Sequence, residues 1–102
     1  MLEIRPNCEH CDRDLAPDAT DAMICSFECT FCRDCVEQTL LNVCPNCGGG
    51  FENRPIRPAR EWRSGISREH APPSTERVHE PVDATAHAGF AEPIRKILPE
   101  QR

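Results

Sequence analysis

The sequence predicts a small α+β domain built around two structural metal sites, with one short helix, short strands and a disordered C-terminal tail. Three observations lead there. All eight cysteines lie between Cys8 and Cys47, in four closely spaced pairs. Residues 1–57 hold few large apolar side chains for a unit that must fold, and domains this small need a staple besides their core. Residues 58–102 have no cysteine and carry six of the ten prolines among Ala, Glu, Arg and Ser, a composition that builds no second core.

The pairs read Cys8-x2-Cys11, Cys25-x3-Cys29, Cys32-x2-Cys35 and Cys44-x2-Cys47. Eight thiolates fill two tetrahedral zinc sites, and two thiolates this close in sequence can reach one ion. Disulfides are the competing staple, but they belong to oxidising compartments. Met1-Leu2-Glu3-Ile4-Arg5-Pro6 lacks the apolar stretch of a secretory leader. No run approaches the ~18 apolar residues of a membrane helix. The expectation is a cytoplasmic chain with free thiols that binds two Zn²⁺.

The elements follow in order. Residues 1–7 lead into the first pair. Asp12 to Asp21 is a polar loop containing Pro17, and Ala22-Met23-Ile24 reads as a strand entering Cys25. Phe27 and Phe31 flank the central cysteines. Val36, Leu40 and Val43 recur at helical spacing, with Glu37, Gln38 and Asn42 opposite. Asp34 is the expected N-cap, and Pro45 requires the helix to end by Asn42–Val43. Gly48-Gly49-Gly50 is a flexible exit, after which Phe51 and Ile56 are expected to pack back as a final strand. The folded unit is thus residues 1–57, and 58–102 is the tail. Cutting near Arg57 is expected to change little. Phe90, Ile94, Ile97 and Leu98 sit at i, i+4, i+7 and i+8, with Pro93 suited to a first helical turn and Pro99 ending it, the pattern of a short docking helix.

Charge narrows the function. The formal net charge is −5, and residues 1–57, with five Arg and ten Asp or Glu, hold all of it. Ligated zinc would make that half more acidic, since four thiolates outweigh one divalent ion. Such a domain repels a phosphate backbone unless its charge is segregated. The expected partner is therefore a protein, with nucleic acid and membrane disfavoured. A nucleic-acid-associated regulator is the alternative.

The grouping of the four pairs decides the fold. Sequential grouping joins Cys8, Cys11, Cys25 and Cys29, and separately Cys32, Cys35, Cys44 and Cys47. Interleaved grouping joins Cys8, Cys11, Cys32 and Cys35 in one site and Cys25, Cys29, Cys44 and Cys47 in the other. Phe31-Cys32-Arg33-Asp34-Cys35, the helix, and Cys44-Pro45-Asn46-Cys47 resemble the RING pattern, which implies the interleaved cross-brace of treble-clef type. Cys29 stands where most RING domains carry histidine. The docking positions of a RING ligase read here Asp12, Leu40 or Leu41, Pro45 and Gly48, and only two of those four fit. The run from Met1 to Arg57, with Arg5-Pro6-Asn7-Cys8, Cys25-Ser26-Phe27-Glu28-Cys29-Thr30-Phe31-Cys32 and Cys44-Pro45-Asn46-Cys47-Gly48-Gly49, also resembles a family of small bacterial cysteine-rich proteins, domain of unknown function family 1272. That resemblance implies a bacterial zinc protein and supplies no activity.

No catalytic residue is expected. Eight thiolates leave neither a spare nucleophile nor an open metal position. Ferredoxin-type ligation needs a tighter last spacing than Cys35 to Cys44 provides. A redox switch releasing zinc is chemistry open to any such site. His10 reads as an exposed loop residue, and His70, His79 and His87 as residues of the tail.

Overall fold

The computed structural model describes all 102 residues. Its sheet has three short antiparallel strands in the order β2-β1-β3: β1 is Ala22–Ile24, β2 Thr30–Cys32 and β3 Glu52–Asn53. β1 and β2 are the arms of a hairpin whose loop is the Cys25–Cys29 segment, with Ala22 opposite Cys32 and Ile24 opposite Thr30. The pleat turns alternate residues inward, yet all three residues of β2 are buried, because protein covers both of its faces.

A helix follows at once. Its first turn is α1, Arg33–Cys35, and it widens into a π-helical turn over Val36–Leu40. Cys32, not Asp34, is the N-cap residue, and no side chain caps the turn. The Asp34 carboxylate instead lies 3.5 Å from Arg13 Nη2. The helix stops at Leu40, two residues short of the expected limit, because Leu41 and Asn42 take left-handed φ of 56° and 57°. Asn tolerates that region, and Asn42 Oδ1 accepts the Phe51 amide at 2.9 Å, drawing the exit from the glycine run back to the helix end.

The core is small and half of it is sulfur. Leu15, Ala22, Phe31, Val36, Leu40 and Phe51 cluster with six of the cysteines. Phe31 meets Phe51 edge to face, centroids 5.4 Å apart, the geometry that aligns ring edge with ring face. The expected final strand is β3; Phe51 packs inward, but Ile56 is exposed.

Residues 58–102 are not a disordered tail, which corrects the expectation drawn from their composition. They wrap the cysteine-bearing half. The Ser74 N–H donates to Ile4 O at 2.9 Å and the Glu80 N–H to Glu9 O at 2.8 Å. The helix of this half, α2, is Ala84–Ala91, earlier than the expected Phe90–Leu98 segment. Asp83 caps it, its side chain accepting from the Ala86 amide. Ala91 and His87 are buried, and Arg102 donates to Asn42 O at 2.7 Å. The radius of gyration, 14.6 Å, is near the ~13 Å of a compact chain of this length and far from the ~30 Å of an unfolded one.

Candidate metal centres

The fold brings the first pair to the third. Cys8, Cys11, Cys32 and Cys35 place their four sulfurs within 4.8 Å of one another. Cys25, Cys44 and Cys47 form a second group at the same limit. Cys29 adjoins the second group, its sulfur accepting from Asn46 Nδ2 of the last knuckle at 3.3 Å. Cys8 and Cys11 thus meet Cys32 and Cys35, and Cys25 meets Cys44 and Cys47, with Cys29 beside the second group. The β-hairpin is the cause. It carries Cys25 and Cys29 at its tip and delivers Cys32 to the far end of β2 beside the first knuckle.

The donor set fits a tetrahedral thiophilic ion. Sulfurs 2.3 Å from a zinc ion at tetrahedral angles lie about 3.8 Å from each other. Cys11 and Cys32 sulfurs are 3.8 Å apart, far beyond the ~2.05 Å of a disulfide. All eight cysteines are free.

The first and last knuckles share one turn. The Asp12 N–H donates to Cys8 O at 2.9 Å, and the Gly48 N–H donates to Cys44 O at 2.8 Å. Each donor residue follows the second cysteine of its pair and takes positive φ, 64° for Asp12 and 77° for Gly48. Gly adopts this freely and Asp with modest strain. Asp12 is held there from outside, its carboxylate accepting from Asn7 Nδ2 and Arg77 Nη2, each at 3.0 Å. Amide donors point at sulfur in the second centre: Phe27 N to Cys25 at 3.3 Å and Gly49 N to Cys47 at 3.4 Å. Such donors offset thiolate charge.

Burial pushes the thiols of Cys25, Cys32, Cys35 and Cys44 upward, Cys35 and Cys44 far above the ordinary thiol range. Burial also acts to raise Cys11, but the Arg13 amide and the neighbouring thiols of Cys8, Cys35 and Cys32 outweigh it and lower that group. Without a cation the buried thiols hold their protons. A metal ion removes that penalty by neutralising the thiolates, which is why such a cluster favours one.

Several supporting residues escaped the sequence reading. Glu9, inside the first knuckle, is buried; it accepts from Arg5 Nη1 at 2.8 Å and from the Thr30 amide. It thereby ties that knuckle to β2, and its only sequence signal is an Arg four residues earlier. Asn7 is fully buried and donates from Nδ2 to Cys8 O at 3.1 Å and Val78 O at 2.8 Å. His10 is not a free loop residue: its Nδ1 accepts the Val82 amide at 2.9 Å, and its carbonyl lies 3.1 Å from His79 Nε2. His87 bonds Leu40 O at 2.8 Å through Nε2. His70 stays outside the centres and pairs with Glu61 at 2.8 Å.

The comparisons with known proteins rest on the same stretch of chain. The family model described as Protein of unknown function (DUF1272) matches residues 1–57, which contain every cysteine. The chain belongs to this family. An uncharacterized protein of Rhizobium meliloti (strain 1021) is 56% identical over 81 residues, covering 79% of this chain and 89% of the relative. Those 81 residues exceed the 57 of the family match by 24. At least that much of the wrapping segment therefore lies within the likeness, in accord with its packing on the cysteine-bearing half. No solved structure matches the chain. No helix is long and apolar enough to cross a membrane.

Proposed function

We propose that the chain is a zinc protein of RING-like cross-braced, treble-clef architecture, in which two Zn²⁺ are structural and hold a surface that binds a protein partner. The observation carrying this reading is the meeting of Cys8 and Cys11 with Cys32 and Cys35, and of Cys25 with Cys44 and Cys47, with Cys11 and Cys32 sulfurs at the 3.8 Å separation of a tetrahedral site. Four thiolates saturate such an ion and leave no position for water or substrate, so the centres are structural rather than catalytic. Phe27 is the natural centre of the recognition face. It is 72% exposed on the loop between Cys25 and Cys29, and with Ile97 it lines a shallow hollow beside the last knuckle. An exposed aromatic on a metal-braced loop is pre-organised, which lowers the entropic cost of binding.

The test begins with metal analysis of the purified chain. About two zinc per chain in a colourless protein is expected. One equivalent, or visible charge-transfer absorption from iron, would sink the assignment. Affinity capture then addresses the surface. A partner held by the zinc-loaded chain should be lost both on Phe27→Ala and on chelation, while Phe27→Ala retains its zinc. Capture unaffected by Phe27→Ala would remove this face from the reading.

A further inference from the structure

Residues 58–68 close on themselves. The Arg68 N–H donates to Pro58 O at 2.8 Å, so the chain leaves and returns at one point. A closed surface loop of this length is an Ω-loop, a form that often carries function. It is shaped from within. The Ile66 N–H donates to Arg63 O at 3.1 Å, Gly65 takes φ of 79°, and Ser67 is buried. The loop's single carboxylate, Glu61, is engaged internally by the Gly65 amide and by His70.

What this loop presents is unlike the rest of the molecule. Trp62, the chain's one tryptophan, is 76% exposed, and Ile66 is 61% exposed. Arg60 and Arg63 are exposed and Arg68 half-buried, and none of the three makes an ion pair. Residues 58–68 hold three Arg and one Glu, while the remaining chain holds nine basic and sixteen acidic residues. Charge is segregated after all, around an exposed indole.

We propose that the 58–68 loop binds single-stranded nucleic acid, stacking a base on Trp62 and pairing phosphates with Arg60, Arg63 and Arg68. Guanidinium forks match phosphate oxygens, and an aromatic face accepts any base. The partner must be narrow. The molecule is 18 Å across its shortest axis, and its acidic surface repels anions over a Debye length of ~8 Å. A bilayer or a rigid duplex presents a broad anionic face to a chain of net negative charge, whereas a flexible strand can engage the three arginines and the indole without one. An acidic peptide satisfies the arginines but offers the indole no matching plane. The inference is independent of the protein-partner reading: loss of strand binding leaves the zinc content and capture through Phe27 unchanged, so the two fail separately.

The zinc-loaded full chain is titrated at low salt with an oligothymidylate of about twelve nucleotides. Trp62 fluorescence reports directly, since the chain has no other tryptophan and no tyrosine. Quenching is expected, with a log–log salt slope of about −2, as three phosphate contacts on a single strand predict. The variant Arg60→Gln/Arg63→Gln should weaken binding at least ~10-fold and flatten the slope by more than one. Trp62→Ala, followed by anisotropy of a labelled strand, should weaken it by a similar factor. Zinc content and circular dichroism of both variants should match the parent. No quenching, a flat salt response, or equal binding by a duplex, a polyglutamate peptide or phosphatidylglycerol vesicles would overturn the proposal.

Discussion

Replacing His87 by alanine tests whether the C-terminal half is part of the fold. The imidazole is 4% exposed, and its Nε2 donates to the Leu40 carbonyl at 2.8 Å, at the end of the helix that follows Cys35. Leu40 O also accepts the Val43 amide at 3.0 Å, so losing the histidine does not orphan it. The hydrogen-bond loss is then near the low end, about 1 kcal/mol. The missing ring also leaves a void against Leu40, which is fully buried, and against Phe90, whose centroid is 6.0 Å away. A cavity of that kind adds roughly 1–2 kcal/mol. The expected destabilisation is about 2–3 kcal/mol, or a melting point lowered by on the order of 10 °C for a domain of this size. The measurement is chemical denaturation at fixed free zinc, because bound metal shifts apparent stability by mass action. Hydrogen exchange across Ala84–Ala91 should rise in parallel. A change below ~0.5 kcal/mol with unaltered exchange would mean that α2 contributes nothing to the folded state, and that residues 58–102 are dispensable.

Four further outcomes follow from the same contacts. Zinc affinity should fall at least ~10-fold per unit of pH decrease near neutrality, because burial holds protons on Cys35 and Cys44 that the ion must displace; competition with a chelator across pH measures it, and a flat profile would argue against thiolate ligation. Asn7→Ala should cost about 1–3 kcal/mol in denaturant unfolding, since a fully buried amide linking Cys8 O to Val78 O is removed. Gly48→Ala should cost about 1–2 kcal/mol, read by thermal unfolding, because φ there is 77°. Truncation after Arg57 should lower stability and speed zinc loss to a chelator, since it removes Val78, Val82 and Arg77 from around the first knuckle.

The cysteine-bearing half was legible because its cysteines fall in close pairs at the spacing that a tetrahedral ion would require. Two donors per knuckle, a strand before Cys25 and an apolar helical face after Cys35 are all local signals, and each was readable. What spacing could not show was the exact form of the helix. Its N-cap is Cys32, whose sulfur joins the first cysteine cluster, and Asp34 lies two residues too late to cap it. Its end is set by left-handed Leu41 and Asn42, residues with no glycine signal. The second half was illegible for a different reason. Its order carries no apolar period, because the segment is anchored by polar groups on backbone carbonyls: His79 on His10, His87 on Leu40, Arg77 on Asp12 and Arg102 on Asn42. Such contacts leave no period. Apolar residues recur at Phe90–Leu98, yet the helix forms at Ala84–Ala91, where Asp83 caps an alanine-rich run. Intrinsic propensity and a cap outweighed amphipathicity.

These two halves explain each other energetically. The cysteine clusters gather the knuckles and the strand ends, but the carbonyls of His10, Asp12 and Asn42 take no partner from within that half. An outward carbonyl in water is already satisfied, so a segment that covers it must replace that water bond or lose stability. Residues 74–102 do so with histidine, arginine and backbone amides, which is why a charge-balanced, proline-punctuated sequence can still pack. The side chains it buries are few, Ala91 and His87 among them, so this half contributes little core of its own and depends on the knuckles being in place. Its order should therefore follow the metal: chelation should loosen residues 74–102 together with the cysteine-bearing half, while truncating the segment should leave the eight thiols able to bind. The direction of dependence is set by where the ligands lie, since all eight precede Gly48.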